Sequence, residues 1–384
     1  MSTAASPLIS IGPRVRKSPF FDATIRYGAR AFTVYNHTYM PTSYTDPVTE
    51  YWSLVRDVTL WDVACERQIE ITGPDAGRFV QLLTPRDTSK CQIGQCQYVL
   101  LTDQDGGIVN DAVMLRVEEQ RFWLSPGDGD ALLWVLGAVV NSGLDVRVDE
   151  PDVSPLQLQG PKAPHVAREL FGEAALKIKY YWMKKTALDG IPVVLARTGW
   201  SGELGYEIFL RDGSHGDRLW QLVMEAGKPH DITPIAPSHI RSIEGCLLSY
   251  VSDISRADNA FVLGVDYLVD LDQPDDFIGK KALEKIWQEG VKRRLVGVDL
   301  HGDPLQAANT EFWHVTDGDR IIGHLTRCVY SPRLEKNIGF VNVPVEYADL
   351  GTSLTVSTPL GERRAGVCEI PWFPPQKIIP DPLD

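Results

Sequence analysis

Residues 68–83 read Gln68-Ile69-Glu70-Ile71-Thr72-Gly73-Pro74-Asp75-Ala76-Gly77-Arg78-Phe79-Val80-Gln81-Leu82-Leu83, the pattern of a strand, a Gly-Pro turn and an amphipathic helix. The pattern returns in Leu156-Gln157-Leu158-Gln159-Gly160-Pro161-Lys162-Ala163 and the apolar-periodic residues 166–171 that follow. Proline suits the first helical turn because its missing N–H has no intrahelical acceptor there. The sequence therefore predicts two copies of one strand-and-helix unit.

A second pair of landmarks repeats at nearly the same distance. Gly73 and Gly160 are 87 residues apart, and Trp134 and Trp220, each at the start of a helix that follows a strand and an Asp-Gly turn, are 86 residues apart. Residues from about 60 to 145 and from 146 to 230 are thus predicted to be copies that alternate helices with antiparallel strands. Such copies would pack pseudo-symmetrically, and a pocket between halves is a favoured ligand site.

The pattern changes to short strands from Arg293 onward. They are predicted at residues 294–299, 320–326, 338–343, 353–355 and 364–370. Five or six strands in about ninety residues indicate a small all-β barrel. The tail Pro371-Trp372-Phe373-Pro374-Pro375 is predicted to be a packed strap.

The fold class is therefore α+β, with two repeated α/β units on antiparallel sheets and a C-terminal barrel. The predicted divisions are an irregular arm at 1–50 with a strand around residues 31–35, a first unit at 51–145, a second unit with linker at 146–290, and the barrel at 291–384.

Composition excludes several classes of protein. The net charge of −13 over 384 residues works against binding to phosphate backbones, so nucleic acid is not an expected partner. No apolar run is long enough to span a bilayer, and Met1–Pro7 lacks a basic segment followed by an apolar one, so a cytoplasmic protein is expected. The six cysteines and eight histidines show no metal-ligand spacing, and we expect reduced thiols and no metal.

Asp111 is the catalytic candidate. It lies in Asp105-Gly106-Gly107-Ile108-Val109-Asn110-Asp111, where a glycine turn leads into a predicted strand that continues to Val117. An isolated Asn-Asp pair would be interpreted as a surface turn, but this one occurs within a larger set of motifs. By contrast, Arg241 and Glu244, on a helix predicted over 238–250, are spaced as a surface ion pair is.

A family likeness comes from four motifs in order. They are Gly73-Pro74-Asp75-Ala76, Gly106-Gly107-Ile108-Val109-Asn110-Asp111, Arg197-Thr198-Gly199-Trp200-Ser201-Gly202-Glu203-Leu204-Gly205-Tyr206-Glu207-Ile208 and Arg241-Ser242-Ile243-Glu244-Gly245. Over residues from about 30 to 373 the chain resembles the glycine-cleavage T-protein (aminomethyltransferase) family. The resemblance implies two related α/β units and a barrel around a folate channel, with tetrahydrofolate as the cofactor.

One stretch departs from that family. T-proteins usually carry Asp-Val-Ser-His-Met-Gly where this chain has Asp62-Val63-Ala64-Cys65-Glu66-Arg67, and Tyr where it has Trp200. Both changes point away from the aminomethyl-lipoyl substrate. The residues around Tyr35, Trp61, Asp111 and Arg327 instead resemble the branch that demethylates dimethylsulfoniopropionate.

The resemblance also assigns candidate site residues. The expected folate-binding residues are Tyr98, Asp111, Glu207 and Arg241. Asp111 is expected near N5, and Glu207 is expected to accept hydrogen bonds from the pterin N–H groups. Arg241 is expected to orient the polar tail of the folate or to brace Glu207. Aromatic rings attract sulfonium and quaternary ammonium cations, so the substrate candidates are Trp200, Tyr206, Phe209, Trp182 and Tyr35. Tyr35-Asn36-His37 could equally form a plain turn.

The expected activity is transfer of a methyl group from a small methylated sulfonium or ammonium compound to tetrahydrofolate, with dimethylsulfoniopropionate first and glycine betaine or dimethylglycine as neighbours. Glycine-cleavage aminomethyl transfer is an alternative on the same fold. A folate-binding or tRNA-modifying relative without this turnover is an alternative from another class. No segment indicates the oligomeric state.

Overall fold

A computed structural model describes residues 10–380 and residue 383. Residues 1–9 of the predicted arm, including Met1–Pro7, lie outside the described part of the chain. The helices described are α1 Phe21–Arg26, α2 Pro47–Arg56, α3 Ala76–Leu83, α4 Ala131–Val140, α5 Ala163–Phe171, α6 Gly216–Gly227, α7 His239–Glu244, α8 Ala260–Leu263 and α9 Lys280–Glu289.

The strands begin with a hairpin in the arm and end in the barrel. They are β1 Ala31–Tyr35, β2 Thr38–Ser43, β3 Thr59–Asp62, β4 Ile69–Thr72, β5 Cys96–Thr102, β6 Ile108–Glu118, β7 Arg121–Pro126, β8 Arg147–Asp149, β9 Ser154–Gln159, β10 Met183–Leu188, β11 Ile191–Ala196, β12 Gly205–Leu210, β13 Thr233–Pro234, β14 Arg293–Leu300, β15 Trp313–Asp317, β16 Arg320–Ser331, β17 Lys336–Pro344, β18 Ser353–Thr358 and β19 Gly361–Cys368.

Two sheets with the same internal order confirm the repeat. The first sheet runs β5-β6-β7-β4-β8 and the second runs β10-β11-β12-β9-β3, with β13 added at its edge. The pairings are antiparallel except for β13 with β3, which is parallel. The predicted α+β class with antiparallel sheets is therefore confirmed.

The two units exchange a strand. β3 lies near the start of the first unit in sequence, yet it pairs with β9 of the second sheet. β8 lies at the start of the second unit, yet it pairs with β4 of the first sheet. Each sheet is thus completed by the strand that leads into the other unit, which ties the two halves together through backbone hydrogen bonds.

The repeated Gly-Pro turns are alike in atomic detail. Gly73 and Gly160 have φ angles of 128° and 127°, which only glycine adopts without strain. A Cβ atom at either position would collide with a carbonyl oxygen, that of Asp145 for Gly73 and that of Asp57 for Gly160. The chain crossing at each turn therefore requires glycine, and this shared requirement made the repeat visible in the sequence.

The sheets pack face to face and carry helices on their outer faces. Strand alternation divides β12, with Glu207 and Phe209 on the inner face and Tyr206, Ile208 and Leu210 on the outer one. Phe209 packs with Trp123 and Leu115 of the first sheet in the inter-sheet core. The outer side chains pack in a core that includes residues of α5 and α6. The inner faces therefore define the space between the two halves.

The C-terminal strands close into a barrel in the order β14-β17-β16-β15-β18-β19. The barrel prediction is confirmed, and β15 was the strand that the sequence pattern did not reveal. The tail is packed as predicted: the N–H of Phe373 donates to the carbonyl of Glu244 at 3.0 Å, and that of Gln376 to Gly202 at 2.8 Å.

The helix predicted over 238–250 is shorter, because α7 ends at Glu244 and Cys246 follows with a φ of 53°. The surface ion pair predicted between Arg241 and Glu244 was wrong. Both side chains are buried, and each has another partner: Arg241 binds Glu203, and Glu244 binds Arg333 of the barrel.

The six cysteines are free thiols, four of them buried and two half-buried, as the composition predicted. Across residues 10–380 and 383, no helix combines the length and the apolar character needed to cross a bilayer.

Candidate functional site

Asp111 lies on the inner face of the first sheet. On β6 it alternates in register with Val113, Leu115 and Val117, which pack in the inter-sheet core. The Tyr98 hydroxyl, from the same face of β5, donates a hydrogen bond of 2.9 Å to Asp111 Oδ2. The strand thus holds the predicted catalytic carboxylate toward the second sheet, with one oxygen fixed by a phenol.

The other carboxylate oxygen of Asp111 is buried and has no hydrogen-bond partner among the described residues. Gly127 covers it so closely that a Cβ atom there would lie 2.9 Å from Oδ1. Burial raises the pKa of Asp111 to about 6, against the lowering effect of the Tyr98 hydrogen bond. Asp111 is therefore a carboxylate that can gain or lose a proton near neutral pH.

Glu207 lies on the inner face of the second sheet, which is the face turned toward the first sheet and Asp111. Its Oε1 accepts a hydrogen bond of 2.9 Å from Gln157, and its Oε2 accepts one from the Thr198 hydroxyl. Burial raises its pKa above the usual value. A carboxylate oxygen accepts two hydrogen bonds, so each oxygen keeps a lone pair for a ligand donor.

Glu66 is a third carboxylate, and the sequence did not single it out as a site residue. It lies on the loop between β3 and β4, and its Oε2 accepts a hydrogen bond of 2.9 Å from Ser125 of β7. Burial raises the pKa of Glu66 well above its usual value, and the charges of Glu207 and then Asp111 raise it further. Ser125, which binds Glu66, and Asp111 lie on the inner face of the first sheet, and Glu207 lies on the inner face of the second. The three carboxylates therefore form one cluster in the space between the sheets.

No lysine, arginine or histidine of residues 10–380 or residue 383 forms a salt bridge with these three carboxylates. Arg67, the neighbour of Glu66, binds Glu150 instead, with Nε 2.8 Å from Oε1. Uncompensated carboxylates in a protein interior are costly, and a cation or several N–H donors would relieve that cost. The cluster is therefore suited to a ligand with positive charge or donor groups.

Tyr35 is the aromatic candidate that the structure brings to this cluster. Its pKa is raised well above the usual value, by burial first and then by the charges of nearby groups that include Asp111 and Glu66. Asn36 and His37, with φ angles of 47° and 58°, form the tight turn after it. The Asn36 side chain donates to Gly127 O at 2.8 Å, so the hairpin is docked on the loop that covers Asp111.

Trp200 lies at the second-sheet end of the site. Its N–H reaches Oε1 of Gln157, the residue that binds Glu207, at 3.3 Å, and its indole Nε1 reaches Leu248 O at 3.3 Å. The Arg327 guanidinium already lies 5.9 Å from its ring. The ring is half-buried against the small core of Leu54 and Trp61.

Tyr206 and Trp182 lie away from the three carboxylates, on the outer side of the second sheet. Tyr206 lies on the outer face of β12, is fully buried, and donates to the carbonyl of Ala175 at 3.3 Å. Trp182 packs against the same outer core. The neighbouring Tyr181 is instead partly buried in the inter-sheet core, and the charge of Glu207 contributes to its raised pKa, after burial and Tyr180.

Phe209 shares the inner face with Glu207, but it is fully buried against Trp123 with ring centroids 6.2 Å apart. Arg241 does not brace Glu207. Its Nε donates to Glu203 at 2.6 Å and its Nη2 to Gly202 O at 3.1 Å. Arg241 thus holds the loop before β12, and that loop in turn positions Glu207.

Within the described part of the chain, no group of three or more His, Cys, Asp or Glu side chains is arranged to hold a metal ion.

Residues 20–273 match the GCVT N-terminal domain, and residues 293–373 match the glycine cleavage T-protein C-terminal barrel domain. The dimethylsulfoniopropionate demethylase DmdA of Ruegeria pomeroyi is 36% identical over 361 residues, which cover 94% of this chain and 98% of that protein. An aminomethyltransferase of Symbiobacterium thermophilum is 29% identical over 94% of this chain and 97% of its own.

The crystal structure of the glycine cleavage system aminomethyltransferase T from Bartonella henselae superposes with a TM-score of 0.84 at 21% identity, covering 95% of this chain and 99% of that one. At that identity the likeness shows a shared fold.

Proposed function

We propose that this chain, which belongs to the glycine cleavage T-protein family, is a tetrahydrofolate-dependent demethylase of a small methylated sulfonium compound. Family membership makes the chain an enzyme of the transferase type, as its sequence motifs predicted. The proposal adds the acceptor, tetrahydrofolate, and the donor, dimethylsulfoniopropionate, whose products would be 5-methyltetrahydrofolate and methylthiopropionate.

The observation that carries the proposal is the uncompensated cluster of Glu66, Asp111 and Glu207. An aminomethyl group can bring N–H donors to such a site, whereas a sulfonium brings a permanent charge and no donor. The cluster offers three carboxyl groups, whose ionised form a bound cation stabilises, and, at Tyr35, a ring, which is the combination that attracts an onium ion. The 36% identity to a dimethylsulfoniopropionate demethylase supports the same substrate.

The residues present fit tetrahydrofolate. The lone pairs left on Glu207 suit the paired N–H donors of a pterin edge. Asp111 Oδ1, buried and unpartnered among the described residues, suits a donor beside it. When bound, tetrahydrofolate supplies N5 as the methyl acceptor, while the S–CH3 bond breaks and its electron pair stays on sulfur.

The chain's own residues then position the reactants and manage charge. Asp111 is ionised above its pKa of about 6 and can take the proton that N5 loses, directly or through a water molecule. Tyr98 keeps that carboxylate in place through its hydrogen bond to Oδ2. Alignment of donor and acceptor between the two sheets supplies much of the remaining rate, because the leaving thioether is already a good one.

The test is incubation of the protein with tetrahydrofolate and a panel of sulfonium and ammonium compounds, with 5-methyltetrahydrofolate as the readout. We expect product from dimethylsulfoniopropionate at a higher rate than from glycine betaine or dimethylglycine. Failure of every compound on the panel to give 5-methyltetrahydrofolate would overturn the proposal. Methylenetetrahydrofolate formed from an aminomethyl-lipoyl protein would favour the glycine-cleavage reaction instead.

A further inference from the structure

We infer that Glu66 is the specificity-determining residue of the site, with its free carboxylate oxygen facing the methylated cation; the inference rests on the proposed function. Glu66 is placed by a connected set of hydrogen bonds. Gln68 Nε2 donates to the Glu66 carbonyl at 2.6 Å and to Ser125 Oγ at 2.7 Å. Ser125 Oγ in turn donates to Glu66 Oε2 at 2.9 Å.

This arrangement fixes one carboxylate oxygen and leaves the other available. Oε2 is held by Ser125, whereas Oε1 accepts no hydrogen bond from any residue that the structure describes. Ser125 and Asp111 both point from the inner face of the first sheet, by the alternation of β7 and β6. The Glu66 side chain therefore reaches into the space that Asp111 faces.

Charge explains why a carboxylate is useful at this position. A sulfonium or quaternary ammonium ion has no N–H donor, so a protein can recognise it only through negative charge and aromatic faces. Glu66 supplies the first. Tyr35 supplies the second, because its hairpin is docked through Asn36 on Gly127, which covers Asp111. An apolar side chain at this position could not distinguish a cation from a neutral compound by charge.

The same charge also favours release of the product. Transfer of the methyl group converts the positive sulfonium into a neutral thioether, and the attraction to Glu66 then disappears. The site consequently binds the substrate more tightly than the demethylated product, although the two differ by one methyl group. Discrimination between these two compounds is the property that Glu66 should control.

The experiment compares Glu66→Gln with the intact protein. Calorimetric titration of the folate-free protein gives affinities for dimethylsulfoniopropionate and for methylthiopropionate. Glu66→Gln keeps the shape of the side chain and an oxygen for Ser125 while removing the charge. We expect the sulfonium compound to bind the variant roughly thirtyfold or more weakly, as when one charge of a buried pair is removed. The neutral thioether should bind both proteins equally.

Two further variants test whether a change in net charge or a change in the fold could explain the result. Glu119→Gln makes the same change of net charge on the exposed turn after β6, and it should leave both affinities unchanged. Glu66→Asp keeps the charge and should keep most of the preference for the sulfonium compound. Its near-ultraviolet circular dichroism and that of Glu66→Gln should match the parent.

Equal loss of both compounds in Glu66→Gln, or loss of neither, would overturn the role of Glu66. That outcome is separate from failure of the proposed function. An intact protein that forms 5-methyltetrahydrofolate while Glu66→Gln keeps its preference for the cation contradicts only the assignment of Glu66. An intact protein that forms none contradicts the function itself.

Discussion

Asp111 has the burial and the pKa of a group that exchanges a proton during turnover. Asp111→Asn keeps the side-chain volume and an oxygen for the Tyr98 hydroxyl, so the variant should fold and bind folate. Turnover should fall by about 10²–10⁴-fold, the usual contribution of a general base. An unchanged turnover number would contradict the assignment.

The pH dependence gives a second readout for this variant. Asp111 is ionised above its pKa of about 6 and protonated below it. A base must be ionised to accept a proton, so turnover of the intact protein should decline as the pH falls through about 6. The residual activity of Asp111→Asn should lack that decline. Rate measurements from pH 5 to pH 8 (a range of about three units around the pKa) check both expectations.

Glu207 should act on binding before it acts on rate. Glu207→Ala leaves the pterin donors without an acceptor, and we expect folate affinity to fall by about 1–3 kcal/mol. It also leaves Thr198 and Gln157 without their partner, so Glu207→Gln is the control that keeps the packing. Fluorescence titration with tetrahydrofolate measures the affinities, and an alanine variant that binds folate as the parent does would exclude this role.

Sequence reasoning singled out candidate site residues on strands more readily than candidates on loops. Asp111 and Glu207 belong to motifs on strands, and strand alternation places Phe209 on the same face as Glu207. The same alternation puts Tyr206 on the outer face, because it is adjacent to Glu207. Glu66 escaped notice because a loop has no periodicity, so the direction of its side chain depends on hydrogen bonds to Gln68 and Ser125 that no local pattern specifies.

The Gly-Pro turns are the elements whose sequence and geometry agree most closely. Gly73→Ala should lower the free energy of unfolding by about 3 kcal/mol or more, since it adds backbone strain to a collision with the Asp145 carbonyl. Gly137, on an exposed turn of α4 with open space around it, is the matched control. Gly137→Ala should raise the free energy of unfolding by about 0.5–1 kcal/mol. Urea denaturation measures both, and an equal response would contradict the argument.

Some elements were beyond the reach of sequence patterns. β15 follows residues 301–312, which have no strand periodicity, and its pairing with β16 and β18 depends on closure of the barrel. The crossing of β3 and β8 to opposite sheets depends on which edges remain free after the units form. The short α7 ends at Glu244, and Cys246 follows in the left-handed region. A cysteine in the sequence gives no sign of that backbone conformation.

At the scale of the whole molecule, Glu244 connects three parts of the chain. Its carboxylate accepts hydrogen bonds from Tyr51 of α2 at 2.9 Å, from Ser331 of the barrel at 2.6 Å, and from Arg333 at 2.8 Å. Its carbonyl accepts from Phe373 of the C-terminal strap. The barrel and the two α/β units are therefore joined through one fully buried side chain.

Glu244→Ala should consequently destabilise the protein by about 2–4 kcal/mol, because it leaves the buried hydroxyls of Tyr51 and Ser331 without their acceptor. We also expect the barrel to unfold separately from the α/β units, giving two calorimetric transitions where the parent gives one. Tyr51→Phe removes one hydrogen bond and no charge, so it should cost about 1–2 kcal/mol and keep a single transition. A single transition in Glu244→Ala would mean that the strap and the apolar contacts suffice to couple the parts.

The exchange of β3 and β8 also has a consequence for synthesis of the chain. During translation, β3 leaves the ribosome long before β9, its partner in the second sheet, and the first sheet lacks β8 until residue 149 has emerged. The first sheet therefore cannot be completed by residues up to 145 alone, and β3 has no partner until β9 has emerged, although domains commonly fold in order from the N-terminus. The open edge of β3 must remain unpaired in the meantime, and such edges are where newly made chains associate wrongly. The strand exchange that joins the two sheets is thus also the step of synthesis at which a chaperone that covers free strand edges would be most useful.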